Sequence, residues 1–430
     1  MPGITMQPLK LEDLNAQFDS IVRRYRDGGL IAYRDARYFM NDMLNLFERI
    51  ERLRLLVNND GAKKVLVHFT KKLGNLNIDD SNGEMSILLP EFKNLWMLFL
   101  NSASADVVTE CRKWIENNIL KTEMWLVEGE LWDVYNEAFN SVADLKAKLK
   151  YFDKIIESEK QSDGIRSYRI GGWARSRATV MRKLKMDNSE VKNYLAGYAT
   201  FTDSAFLLFD ILVEESKFEE AENCLKHLLD THKNWSGLAE KVHAKLKEMY
   251  RATGQTEKFG DMLKTMVVAQ SRMDFYREYK DFVPKQQWKV ALVELLNSIT
   301  KWDFRMDVLA YENMTDELYA SFGRVFSIGP SFFYFKRYGK ALCPKYNAEF
   351  VKMFVEYLDG AMERASNRKE YRNVVREAGE LLKYEGGLPE VNRLKISWLS
   401  RFKNRPAMRD ELEKFSLVNC SEIPNNSDSS

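Results

Sequence analysis

The sequence predicts an all-α fold of stacked helical pairs, and two observations carry that prediction. Apolar residues recur at i, i+3, i+4, i+7 and i+8 in Ala221, Cys224, Leu225, Leu228 and Leu229, in Phe259, Met262, Leu263, Met266 and Val267, and in Trp288, Ala291, Leu292, Leu295 and Leu296. A fourth set, Val374, Ala378, Leu381 and Leu382, lacks one member because Glu377 occupies its place. Each stripe needs a neighbouring helix to cover it. The second observation is that no proline lies between Pro90 and Pro284, a stretch long enough for many uninterrupted helices.

The elements follow in chain order. Phe18, Ile21, Val22 and Tyr25 share one helical face, and Met40, Met43, Leu44, Phe47 and Ile50 share another before Asn58, Asn59, Asp60 and Gly61 end the pattern. A third helix runs through Val65, Phe69 and Leu73 and stops in the polar stretch from Asn75 to Glu84. Phe92, Leu95, Trp96 and Phe99 resume the period, followed by Cys111, Trp114 and Ile115 and then by Trp125 to Phe139. Ser141 with Asp144 forms a capping box ahead of Leu145, Leu149 and Phe152, and Asp187 with Glu190 forms another ahead of Val191, Tyr194 and Leu195. Leu208, Leu212 and Val213 precede the first stripe, and Tyr250 precedes the second across the turn Thr253, Gly254, Gln255.

The polar stretch from Glu157 to Gly164 marks the expected junction, giving an N-terminal helical block over 1–160, a repeat region over 161–415 and a disordered tail over 416–430. Steps of 38, 29 and 86 residues between stripes make the array irregular. Such arrays present a concave surface to another macromolecule.

Lys+Arg 65 against Asp+Glu 63 leaves a net charge of +2, so no global field argues for nucleic acid. Cys111, Cys224, Cys343 and Cys420 stand too far apart to suggest a disulfide framework. No signal peptide or apolar run of about 18 residues is present, and the expectation is a soluble cytoplasmic protein.

Lys217, Phe218, Glu219, Glu220 and Ala221 followed by Leu225 resemble the second helix of a tetratricopeptide-type repeat, which implies a right-handed superhelix. A wider succession runs from Asp79, Asp80, Ser81, Asn82, Gly83 and Glu84 ahead of a Leu-Trp helix to Glu215 through Ala221, then to Ala365 through Tyr371 and Asn404 through Leu412. It resembles the helical region of bacterial SWIM zinc-finger family proteins and covers most of the chain. The resemblance implies a bacterial source, a curved helical fold and a binding or adaptor role. The finger's Cys-x-Cys pair and Cys-x-His are missing here, so its metal and DNA contacts do not carry over.

Several constellations invite chemistry. Cys224, His227, His232 and His243 cluster, but Cys224 belongs to the apolar stripe and His227 lies off it, so no metal site is expected. Asp79 to Glu84 lacks the alternating acids of a calcium loop. Arg166, Arg169, Arg175, Arg177, Arg182, Lys183 and Lys185 form a run of cations without an intervening acid, interleaved with Tyr168 and Trp173. Such a run could hold phosphates. On a helix, however, Trp173, Val180, Met181 and Leu184 would be the buried side and the cations its solvated face, with Glu214, Glu215, Glu219, Glu220 and Glu222 close enough in sequence to neutralise them. Phe333, Tyr334 and Tyr338 beside Lys336 and Arg337 could anchor a partner or pack a helix start.

Gly-rich phosphate loops, GxSxG, HExxH and CxxC are absent. The sequence therefore points to a non-enzymatic scaffold without cofactor that binds a protein partner. The alternative is a nucleic-acid-associated factor using residues 166–185, and a hydrolase with a diffuse site is a third reading.

Overall fold

The computed structural model describes residues 9–161, 169–233 and 235–415. Among them, 21 α-helices are joined by short turns, with one two-residue hairpin, so the fold is all-α. In the hairpin Arg26 pairs with Ile31 and Asp27 with Leu30. Its turn is Gly28 and Gly29 at φ 55° and 92°, the left-handed region that glycine enters without steric cost. Ile31 also accepts from Asp79 N and donates to Asn77 O, both at 2.9 Å, which ties the polar stretch after the third helix to the hairpin.

The chain divides into two compact units, Met1–Lys233 and Asn234–Ser430. Part of the expected junction, Arg166 and the tail 416–430 lie outside the described residues. In the first unit the aromatic faces anticipated from periodicity make the core: Phe18 stacks on Phe69 at 4.2 Å, and Trp96, fully buried, donates to Thr70 Oγ1 at 3.1 Å. Sequence neighbours pack on one another, Val142–Lys160 on Arg169–Lys183 and Thr202–Glu214 on Phe218–Thr231. Local chemistry starts these helices. Ser141 accepts from Asp144 N, and Asp187 accepts from Ser189 N, each satisfying a donor that the first turn leaves free.

In the second unit the pairs continue, with Ser236–Ala252 on Thr256–Gln270 and Trp302–Tyr311 on Thr315–Ile328. The apolar stripes are the reason. Leu263 and Val267 are buried in one core with Leu292, Leu295, Leu296, Val374, Ala378 and Leu381, and Met266 is buried as well. Each large side chain removed from water there is worth about 1.5–3 kcal/mol. The 33-residue span Phe332–Arg364 is two helices in one, because Pro344 lacks an N–H and Tyr346 leaves helical geometry at φ −121°, ψ 35°.

Candidate functional site

In each unit one concavity is lined by residues that the sequence singles out, Arg175 and Lys183 in the first and Tyr334 in the second. In the first unit, Glu128–Ala138, Val142–Lys160, Arg169–Lys183 and Thr202–Glu214 enclose a cleft of about 460 Å³. Gly172, Ser176, Thr179 and Lys183 fall at i, i+4, i+7 and i+11, so one face of a single helix forms a wall. The small residues at its start let the helix come close to its neighbour. A Cβ on Gly171 would lie 2.4 Å from the Cβ of Phe201, and Ser204 Oγ donates to Gly171 O at 3.0 Å.

Lys148 forms the floor of this cleft and is 1 % exposed. Its ammonium sits 4.9 Å from the centre of the Tyr135 ring and 6.0 Å from that of Phe139, and it has neither an ion pair nor a hydrogen bond among the described residues. Burial pushes its pKa down to about 8; Lys183 and Arg112 push the same way, while Asp144 and Glu116 oppose them. The nearby acids are already engaged. Arg112, itself buried, donates to Asp144 at 3.0 Å and to Glu116 at 2.7 Å, and Tyr135 Oη donates to Glu116 at 2.8 Å. Trp132 and Trp173, ring centres 4.5 Å apart, line the cleft, and both indole N–H groups are buried without an acceptor among the described residues.

The run of cations is split by the structure. Arg169 pairs with Glu128 at 3.3 Å, Arg177 with Asp153 at 2.6 Å and Arg182 with Glu214 at 2.6 Å. Arg177 also lies 4.4 Å from the centre of the Tyr194 ring. Lys183 donates to Asn140 Oδ1 at 2.8 Å and Asn136 O at 3.3 Å, which leaves its full charge in the cleft. Arg175 is exposed at the rim and Lys185 sits in the turn after the helix at φ 56°; neither side chain has an ion-pair partner among the described residues. Val180 and Met181 are buried at 4 % exposure, and Trp173 and Leu184 pack half-buried against the same core. Lys148 is the residue that sequence reasoning missed. Its signal was a lysine on the stripe Leu145, Lys148, Phe152, Ile155 and Ile156, all of them buried.

In the second unit, Trp302–Tyr311, Thr315–Ile328 and the start of Phe332–Arg364 border a groove of about 830 Å³. Its apolar lining includes Phe304, Val325 and Tyr334, and at its edge Ile328 is 88 % and Trp302 48 % exposed. The acids inside it are satisfied: Asp303 accepts from Tyr334 Oη at 2.7 Å, and Asp307 accepts from Arg337 at 2.6 Å. Lys301 and Arg324, also in the lining, have no ion-pair partner among the described residues. Phe333 is half exposed with Arg337 5.2 Å from its ring centre, whereas Tyr338 is buried and donates to Asp307 at 2.9 Å and Asp303 O at 3.0 Å. Of the three aromatic residues singled out in the sequence, Phe333 and Tyr334 reach the surface.

The histidine cluster does not converge. His232 Nε2 lies 2.7 Å from Thr200 O, Cys224 Sγ faces Ala205 O at 3.7 Å, and no group of three or more His, Cys, Asp or Glu among the described residues could hold a metal ion. None of the described helices is long and apolar enough to cross a membrane.

No protein-family model and no curated protein matches the chain. A solved structure to which it is similar is that of Naa15/Naa10 bound to HypK-THB, at 12% sequence identity and a TM-score of 0.26. That match covers 94% of this chain, which spans 65% of the matched one. A likeness so slight carries no inference about function.

Proposed function

We propose that the chain is a non-enzymatic helical scaffold that holds a protein partner in the groove of its second unit. One observation carries the reading: Ile328, 88 % exposed, stands with Trp302 over an apolar groove of about 830 Å³. A large aliphatic side chain held in water at the edge of a concavity is the arrangement of an interface anchor. The cations at Lys301 and Arg324 complement a partner segment that sets acidic residues beside its apolar ones.

The test is a photo-crosslinking residue placed at Ser327, with expression in the native host and mass spectrometry of the product. The expected result is one dominant adduct that disappears when Ile328→Asp or Trp302→Ala is added, while thermal stability stays within about 0.5 kcal/mol, as for other surface changes. An adduct indifferent to both substitutions removes the groove as the docking site.

A further inference from the structure

We propose that the cleft of the first unit binds a phosphomonoester dianion, with Lys148 at its floor and Arg175 and Lys183 at its wall.

The case begins with an unmatched charge. A buried ammonium without a counter-ion is costly, and replacement by an apolar side chain of similar length would remove that cost. Lys148 is 1 % exposed and lines the cleft, and the direct contacts of its ammonium are the rings of Tyr135 and Phe139. The two acids nearest in the wall behind it are held by Arg112, with Tyr135 also on Glu116 and Ser141 Oγ on Asp144 at 2.6 Å. An anion entering the cleft would supply the missing partner.

The remaining lining identifies which anion. Lys148, Lys183 and Arg175 oppose one carboxylate, Asp203, so the charged side chains of the lining sum to +2. A phosphomonoester carries close to −2 at neutral pH, whereas a carboxylate or a nucleic-acid phosphodiester carries −1. The donors also outnumber what a carboxylate accepts. Besides two ammoniums and a guanidinium, the indole N–H groups of Trp132 and Trp173 lack acceptors among the described residues, and Ser176 presents a hydroxyl along the same wall. Thr179 spends its hydroxyl proton on Arg175 O at 2.9 Å and adds no donor. About 460 Å³ exceeds the needs of a bare phosphate and leaves space for an organic group beside the two indoles.

The experiment is isothermal titration calorimetry of the full chain at pH 7 with phenyl phosphate, inorganic phosphate and a short single-stranded thymidine oligonucleotide. Phenyl phosphate is expected to bind with 1:1 stoichiometry at a Kd of about 1 mM or tighter. Lys148→Met and Arg175→Gln are each expected to weaken it on the order of tenfold, the usual consequence of removing one charged hydrogen bond. Inorganic phosphate should bind through the same residues, more weakly for lack of the ring. Arg175 is exposed, so Arg175→Gln tests the site through a side chain that takes no part in the core. Absence of saturable binding by both phosphates, affinities unchanged in the variants, or tighter binding of the oligonucleotide than of phenyl phosphate would each overturn the proposal. Ile328→Asp should leave phosphate binding intact, which separates this site from the partner groove.

Discussion

The two units place their polar groups in opposite ways. In the first, one buried cation, Arg112, holds two acids, and the lysine beside that cluster is left without an acid of its own. In the second, one acid holds the donors: Glu312 accepts from Tyr276 Oη at 2.7 Å, Lys280 Nζ at 2.6 Å and Trp288 Nε1 at 3.1 Å. Desolvation lifts the Glu312 pKa, but the three donors outweigh it and hold the carboxyl below its ordinary value. The second arrangement is closed, because each participant finds its match inside the fold. The first leaves positive charge over, and that surplus faces a cleft. Two networks of similar size thus differ in what they offer a ligand, and the groove of the second unit has the more apolar lining.

The strongest way to break this comparison is to remove the cation that organises the first network. Arg112→Met strands Asp144 and Glu116 in the interior and should destabilise the first unit by about 3–5 kcal/mol, the usual cost of leaving one half of a buried pair. Because the chain has two compact units, urea unfolding followed by hydrogen exchange, rather than one global probe, is the measurement to make. Protection should fall in Ala105–Asn118 and Val142–Lys160 and persist in Trp302–Tyr311. Uniform loss in both units would show that the networks are not independent.

Lys148 sharpens the comparison through pH. Its folded pKa of about 8 lies below the ordinary lysine value of 10.5, so the folded state disfavours the charged form. Below pH 8 the ammonium is present in both states and the full penalty applies. Between pH 8 and 10.5 the unfolded chain binds more protons than the folded one, so stability rises with pH and the penalty disappears. Lys148→Met should therefore be more stable than the parent by up to about 3 kcal/mol at pH 7, with the gap closing by pH 10.5. Denaturant midpoints of both proteins across that range check it. A gap that does not change with pH would mean that Lys148 is not the titrating group.

Periodicity made the helices legible because a 3.6-residue repeat of apolar side chains is itself the packing requirement. Leu225, Leu263, Leu295 and Leu381 are each fully buried at the positions their stripes assign. Caps were equally readable, since Ser141 and Asp187 act on residues two or three places away. The hairpin at Gly28 and Gly29 went unread because its strands hold only two residues each, too few for alternation to register. The cleft was hidden for a different reason. Lys146, Lys148 and Lys150 look alike in sequence, yet they point to different sides of one helix, and only Lys148 falls among the buried residues. The pairing of Arg177 with Asp153 spans 24 residues, a separation that local spacing does not encode, whereas Glu214, which pairs with Arg182, is among the acids that the sequence sets against the run.

Those pairs set the smallest effect. A nucleic-acid role for residues 166–185 requires cations free to release counter-ions at phosphates. Arg169, Arg177 and Arg182 already face acids, and an exposed ion pair screens the field that would draw a polyanion. Charge reversal with Arg175→Glu and Arg182→Glu together should therefore leave retention on a single-stranded DNA or RNA column unchanged across a salt gradient. It should still weaken phenyl phosphate through the loss of Arg175. Salt-sensitive retention that the double change abolishes would instead restore the basic helix as a polynucleotide surface. In that outcome the surplus charge of the first unit serves a chain of phosphates rather than a single one.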